Sequence, residues 1–511
     1  MSRQRFFQSS VATSLILFLI AGLCLSINWI TLWTQSIRLD EAQSIWVSTK
    51  SIPTIIKLIS EDVHVPLYSI LLHFWLQFFG NSILAARSLS LLFFVATIFP
   101  LYLTIKEATS KQLALISILM FSFSPFIAWY SNEARMYTLF TFAISLVHLF
   151  FLRFVRSGGT QSKKALVVSM IIGMYTHYFF LLILFIQGLY LLTLTYVDWS
   201  HSHETSLLKT FFKRDNLLFS YLGLLFFSGL FFLPWVIYVI SGGSASNTQP
   251  LIAPPTSYNI FQTFVNFIFG FQSLSTQSDL VSIWPLSVLI LFFVFTKKKS
   301  LEIRNFLYFI LATFLPIVMV FLLSYIKPIF LSRYLILVTP TLYFMIAALF
   351  LHYSKKVAYS LVIAFVLVSA SLLLYQNLSG TTPVKENYVG AAAYLSKYAQ
   401  ADDVIVLSAP FTIYPFEYSY AGAARLTTAP EWDRYVTGSI PPFSQSTFEK
   451  QIATFKKQYA HAYFVLSYDQ GYEKTMKQYL DTHLQRVSLK KFSEDVEVRE
   501  YVLRYDVPSR K

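Results

Sequence analysis

The chain has 511 residues, 55% of them hydrophobic and only 13% charged, with a mean hydropathy of +0.55 and a formal charge of +14. Soluble proteins carry about 25% charged residues, so a soluble globular chain is excluded, and the apolar residues run in blocks long enough to span a bilayer, roughly 20 residues each. The single cysteine, Cys24, lies inside the first block, which excludes an intrachain disulfide and a thiolate metal cluster.

In chain order the predicted spans are 11–33, 83–105, 112–129, 134–152, 164–178, 179–197, 217–240, 280–296, 305–326, 332–352 and 357–375. The first block lacks a small-residue cleavage site and exceeds a secretory h-region in length, so it reads as an uncleaved anchor. Eleven spans put the two ends of the membrane region on opposite sides. Loops on the side of the N-terminus hold seventeen lysines and arginines, from Arg3 to Lys356; the other side holds seven, namely Arg38, Lys50, Lys57, Arg87, Arg135, Lys327 and Arg333. That bias predicts a cytoplasmic N-terminus. Basic residues that punctuate turns, rather than lining one stripe, exclude a nucleic-acid surface.

Two outward segments do not span. Residues 34–82 contain PLYSILLHFWLQFFG (66–80), apolar but short, which predicts an interfacial or re-entrant helix. Residues 241–279 contain no Lys or Arg and lead into YNIFQTFVNFIFGFQ (258–272), expected to lie along the interface. After Tyr375 the composition changes, with sixteen basic and fifteen acidic residues over 376–511. There NYVGAAAYLSKYAQ and STFEKQIATFKKQY read as helices, DDVIVLSAP and HAYFVLSYD as buried strands. The alternation predicts a small extracytoplasmic α/β domain on a parallel sheet. The expected architecture is an α-helical polytopic membrane protein of about 11–13 transmembrane helices. Its membrane domain covers residues 1–375 and its C-terminal α/β domain residues 376–511.

Ionisable groups gather at the outward mouths of the spans: Asp40 and Glu41; Glu61, Asp62 and His64; Arg87; Glu133 and Arg135; His177; Lys327 and Arg333. The cytoplasmic side has no matching carboxylate cluster. Ionisable residues at membrane depth are functional candidates, and their confinement to one face points to a single water-accessible site for a substrate lying in the membrane plane. Ordinary roles stand beside this one. Asp40 and Glu41 suit a helix N-terminus, Glu133 and Arg135 an interfacial ion pair, His177 an aromatic belt, and Arg87 and Arg333 the anchoring of span ends. On a helix Glu133 and Arg135 stand about 200° apart, whereas Glu133 and Tyr137 share a face.

Taken in order, LDEAQSIW, DVHVPLYSILLHFWLQFFGNSILAARSLSLLF, WYSNEARMYTLF, YTHYFFLL and SRYLILVTP resemble the GT-C class of membrane glycosyltransferases. Within that class the resemblance is to the protein-mannosyltransferase-like branch, which includes aminoarabinose transferases, and it runs over residues 10–353. Where relatives often show His-Pro-Pro, this chain has His64-Val65-Pro66. The resemblance implies an enzyme that moves a sugar from a polyprenyl-phosphate donor to a hydroxyl on a protein, lipid or glycan, outside the cytoplasmic membrane. Asp40 matches the family's acidic residue in the first outward loop and is the implied general base, with Glu41 supporting it. Arg333, Arg135, Lys327 and His177 are the candidates for holding the donor phosphate, and Glu133, His64, Tyr137, Tyr334 and Asp62 for contacting substrate. One base with a phosphate leaving group implies inversion by a single displacement. The carboxylates and His64 leave a divalent metal open, although nothing has the spacing of a dedicated site. The rival readings are a lipid-linked sugar transporter or flippase and a non-catalytic membrane assembly subunit. Spans almost without mid-membrane charge argue against the first, and the retained Asp40, Glu133 and Arg135 against the second.

Overall fold

The structure is a computed structural model and describes residues 3–201, 211, 213, 216–242, 253–272, 276, 278–282, 303–379, 386–435 and 440–504. It divides into two compact units, one drawn from the described residues of 3–33, 64–242 and 253–379, the other from those of 34–63 and 386–504. Up to Ser200 the chain forms α1 (Arg3–Thr31), α2 (Leu39–Ser48), α3 (Ile52–Ser60), α4 (Leu67–Phe79), α5 (Ile83–Ala108), α6 (Lys111–Ser122), α7 (Pro125–Ser131), α8 (Tyr137–Ser157), α9 (Thr160–Met174) and α10 (Phe180–Ser200).

Among the described residues seven helices are long and apolar enough to cross a membrane: α1, α5, α8, α10, Leu217–Ser241, Ile303–Leu323 and Lys355–Leu378. An eighth crossing results if α6 and α7, which meet at 60°, are taken as one span. The remaining predicted spans are short or broken for local reasons. Ser124 caps α7, its Oγ accepting the Ile127 amide at 3.2 Å, and Pro125 has no N–H with which to continue the ladder of α6. The 15-residue α9 is too short for a full crossing. In the last case a 3₁₀ turn, Tyr334–Val338, passes into the helix Thr339–Phe350, with Pro340 in its first turn. The predicted span 280–296 falls almost wholly outside the described residues.

The two short segments expected to face outward are helical. α4 packs on α5, where Trp75 donates its indole N–H to the Ala85 carbonyl at 2.8 Å and the Tyr68 hydroxyl lies 2.8 Å from that of Ser90. Helix Ser257–Phe269 is amphipathic and buries Phe264, Val265 and Phe267. It stops at Gly270, whose φ of 70° and close approach to Pro125 and Gln376 leave no room for a Cβ.

Polar groups lock the bundle where apolar packing alone has little specificity in lipid. Asn132 donates to Thr31 at 2.7 Å and to Asn377 at 3.2 Å, while Ser131 donates to Asn28 at 3.1 Å, which ties α1, α7 and helix Lys355–Leu378 together. Arg87 is completely buried, and its Nη1 donates to the Leu32 carbonyl at 2.7 Å just past the end of α1. A helix end whose carbonyls lack partners needs such a donor, so Arg87 serves the bundle.

The second unit carries a five-stranded sheet in the order β2-β1-β3-β5-β4. Its strands are β1 (Val404–Ser408), β2 (Arg425–Thr428), β3 (His461–Leu466), β4 (Gln485–Ser493) and β5 (Val496–Val502). β1 lies parallel to β2 and β3, but β5 runs antiparallel to both β3 and β4. The sheet is therefore mixed, not purely parallel as expected: only Glu494 and Asp495 join β4 to β5, and so short a link permits only an antiparallel hairpin. Period-2 alternation sends Val404 and Val406 to a layer with Phe448, Ile452 and Met476, and Ile405 and Leu407 to a layer with Tyr388 and Leu395. Helices cover both faces, which is why β1 and β3 are buried along their whole length. Residues 34–63, with α2 and α3, fold as part of this unit.

Candidate active site

In the membrane unit, the break between α6 and α7 sets up the site. Because α7 ends at Ser131 and α8 starts only at Tyr137, residues 132–136 form a tight buried turn, with the Arg135 amide donating to the Glu133 carbonyl at 2.7 Å. Glu133 and Arg135 are thus not subject to helical spacing. Both are nearly buried, at 5% and 6% exposure, and Tyr137 is fully so. The Arg135 carbonyl accepts from Ser90 at 3.2 Å, and Ser90 in turn meets Tyr68 of α4.

Arg135 reaches His64, with Nη2 2.7 Å from Nε2. Arginine has donors only, so the histidine nitrogen accepts and its proton resides on Nδ1. The half-buried His64 is held next to the turn between α9 and α10 because Leu67, three residues on, donates its amide to the Tyr175 carbonyl at 3.2 Å. That turn is tight since Gly173 lets the Phe180 ring pass where a Cβ would stand. It carries His177, buried and stacked on Phe140 with ring centroids 4.6 Å apart and planes 14° from parallel. Burial, then the neighbouring His64 and Arg135, push the His177 imidazole down to about 3. His177 is therefore held neutral at physiological pH and offers an N–H donor there. Its Nδ1 accepts the Phe179 amide at 3.1 Å, which places the proton on Nε2. Tyr334 closes the group, 5.7 Å from His177 and 5.3 Å from Phe179, and the Arg333 guanidinium lies 5.6 Å from the Tyr334 ring. Four chain segments thus bring His64, Arg135, His177, Tyr334 and Arg333 into one neighbourhood. Lys327 is exposed beyond the end of helix Ile303–Leu323 and shows no contact with this group among the described residues.

In the other unit, Asp40 occupies the second position of α2 and is half-buried. Glu41 is completely buried and accepts the Arg38 amide at 3.0 Å. An N3 carboxylate closing back on the cap residue's own N–H is a structural device, which distinguishes Glu41 from its neighbour. The loop before α2 is fixed by Ser36, whose hydroxyl donates to the Glu386 carbonyl at 3.0 Å. The Glu386 carboxylate accepts from Tyr468, a residue at φ 55° two positions after β3. Burial, then Glu386, with smaller contributions from Tyr388 and Asp40, hold the Tyr468 phenol far above its ordinary value. Asp62 accepts the Val63 amide at 2.7 Å, and its charge reaches Tyr414. No three His, Cys, Asp or Glu side chains converge as metal ligands among the described residues.

Some participants gave only faint signals in the sequence. Phe140 and Ser90 are ordinary members of apolar spans, and nothing in their spacing marks them as the shelf under His177 or the support of the Arg135 turn.

Residues 63–238 match the family profile described as dolichyl-phosphate-mannose-protein mannosyltransferase. No curated protein matches by sequence. Among solved structures, ArnT from Cupriavidus metallidurans in the apo state superimposes with a TM-score of 0.64 at 12% identity, covering 98% of this chain and 100% of that one. The same protein bound to undecaprenyl phosphate gives 0.58 at 12% identity, covering 97% and 99%. The oligosaccharyltransferase of Archaeoglobus fulgidus, tethered to an acceptor peptide containing the NVT sequon, gives 0.52 at 12% identity, covering 89% and 69%. At this identity the likeness is one of fold.

Proposed function

We propose that this chain, a GT-C class membrane glycosyltransferase of the protein-mannosyltransferase-like branch, moves a sugar from a polyprenyl-phosphate donor to a hydroxyl acceptor with inversion. The reaction takes place on the outer side of the cytoplasmic membrane, with the N-terminus inside. The observation that carries this reading is the Arg135–His64 pair, its arginine buried, beside neutral His177 and Tyr334, with Arg333 on the Tyr334 ring. A phosphate leaving group needs no proton, only fixed positive charge and donors where its negative charge develops. Two arginines and the Nε2–H of His177 supply these, and the low-dielectric surroundings strengthen them. The undecaprenyl phosphate bound by the ArnT structure supports a donor of this class.

The acceptor oxygen attacks the anomeric carbon while the bond to the phosphate oxygen breaks, its electron pair leaving with the phosphate. The acceptor proton passes to a carboxylate, for which Asp40 is the candidate. The carboxylate need take the proton only late, once carbon–oxygen bonding has begun. A retaining route needs a second carboxylate as nucleophile, about 5 Å from the first. Glu41, the nearest in sequence, already accepts the Arg38 amide inside a buried cap, which supports inversion.

The test is release of free polyprenyl phosphate from a panel of polyprenyl-phosphate sugars, with purified protein in lipid compared with Asp40→Asn. Turnover of one donor, abolished by the substitution, is expected. Lipid binding without turnover of any donor would transfer the case to transport or assembly.

A further inference from the structure

The C-terminal unit contains a buried cation with no place in the chemistry above. Arg434 is 4% exposed and lies in a box of three aromatic rings. Its guanidinium carbon is 4.8 Å from the centre of Trp46, 5.0 Å from Tyr414 and 5.5 Å from Tyr435. One terminal nitrogen, Nη2, pairs with Glu417, whereas the buried Nη1 has no hydrogen-bond partner among the described residues. Burying a guanidinium with a donor unused is costly, so stacking, more than hydrogen bonding, defines this side chain's place. Trp46 is the pivot. It also meets Tyr414 and Tyr435, each at 5.3 Å, and the Lys50 ammonium at 4.4 Å.

Trp46 stands on α2, the helix whose second residue is Asp40. Arg434 stands in the loop leaving β2, where Thr428 donates to the Pro430 carbonyl at 2.8 Å and accepts the Trp432 amide at 2.9 Å. Tyr414 and Glu417 belong to helix Ile413–Ser419. A continuous path of contacts therefore runs from the sheet through Arg434 and Trp46 to the helix that carries Asp40.

We propose that Arg434 is a positioning residue: by stacking on Trp46 it fixes α2, and through α2 the carboxylate of Asp40, so that the C-terminal domain sets the geometry of the base. The inference rests on the role given to Asp40 above. A base displaced by about 1 Å costs on the order of 100-fold in rate. Lysine keeps the charge but lacks the planar fork.

The experiment uses the full chain in lipid, with donor turnover and hydrogen exchange measured side by side. Arg434→Met is expected to lower kcat by about 10- to 100-fold while donor KM stays within about threefold, with Arg434→Lys intermediate. Exchange should accelerate in residues 39–48 but not in β1 or β3. A rise in KM at constant kcat, or lost protection throughout the sheet, would each overturn the proposal. Trp46→Phe keeps an aromatic ring and is expected to retain more activity than Trp46→Ala. If the wild-type protein turns over no donor, the glycosyl-transfer reading falls and the positioning claim falls with it; exchange in residues 39–48 still decides whether Arg434 holds α2.

Discussion

Replacing Arg135 by methionine tests the proposed phosphate-binding role most directly. The side chain is 6% exposed and lies 2.7 Å from His64, so methionine fills much of its volume while removing a buried charge and its fork of donors. A hydrogen bond from a charged donor contributes about 1.5–3 kcal/mol, which corresponds to roughly 10- to 150-fold in an equilibrium or rate ratio. The phosphate is anionic before reaction and gains charge as the bond to carbon breaks, so the loss should fall on kcat/KM, with kcat sharing in it. Arg135→Lys keeps the charge and should recover part of this. The assay is initial-rate release of polyprenyl phosphate across a range of donor concentrations, in lipid of constant composition. A value of kcat/KM within about threefold of wild type for Arg135→Met, with Asp40→Asn inactive in the same preparation, would refute the phosphate role of this cluster.

Further outcomes follow from other contacts. Gly173→Ala places a Cβ 2.1 Å from the Phe180 ring, so the turn bearing His177 must shift; a loss of about 1–3 kcal/mol is expected in thermal unfolding in detergent, with donor turnover falling too. Arg87→Met removes the donor to the Leu32 carbonyl and should cost about 1–3 kcal/mol by the same measurement, while donor KM in the folded fraction stays unchanged. His177 titrates at about 3 when folded, against about 6.5 when unfolded. Its contribution is therefore complete above about pH 6.5 and is lost as the pH falls toward the folded value, amounting to about 2–3 kcal/mol by pH 4.5. His177→Gln should flatten that acid limb in a pH series of unfolding midpoints, and an unchanged limb would assign it to other groups.

How much of this was legible in advance depends on the range of the interaction. Hydropathy and strand alternation are written in neighbouring residues, and they announced the spanning helices, the short helices Leu67–Phe79 and Ser257–Phe269, and the buried strands β1 and β3 of the C-terminal unit. Candidate residues were legible for the same reason, because an ionisable side chain at the end of an apolar run costs free energy unless it has a task. The tertiary structure decided which of them meet. Arg135 and His64 are 71 residues apart and come together only because Pro125 breaks a span and residues 132–136 turn. The neutrality of His177 follows from burial against Phe140 and the charges around it, which no local window contains. Glu41 looked like the twin of Asp40, yet backbone geometry makes it a cap. Residues 34–63, which read as a loop of the membrane domain, fold with the C-terminal unit because Ser36 bonds to Glu386 and Trp46 stacks on Arg434, pairings 350 and 388 positions apart along the chain. Composition specifies what each segment can bury; the folded chain specifies against which partner, and there the chemistry of the site is set.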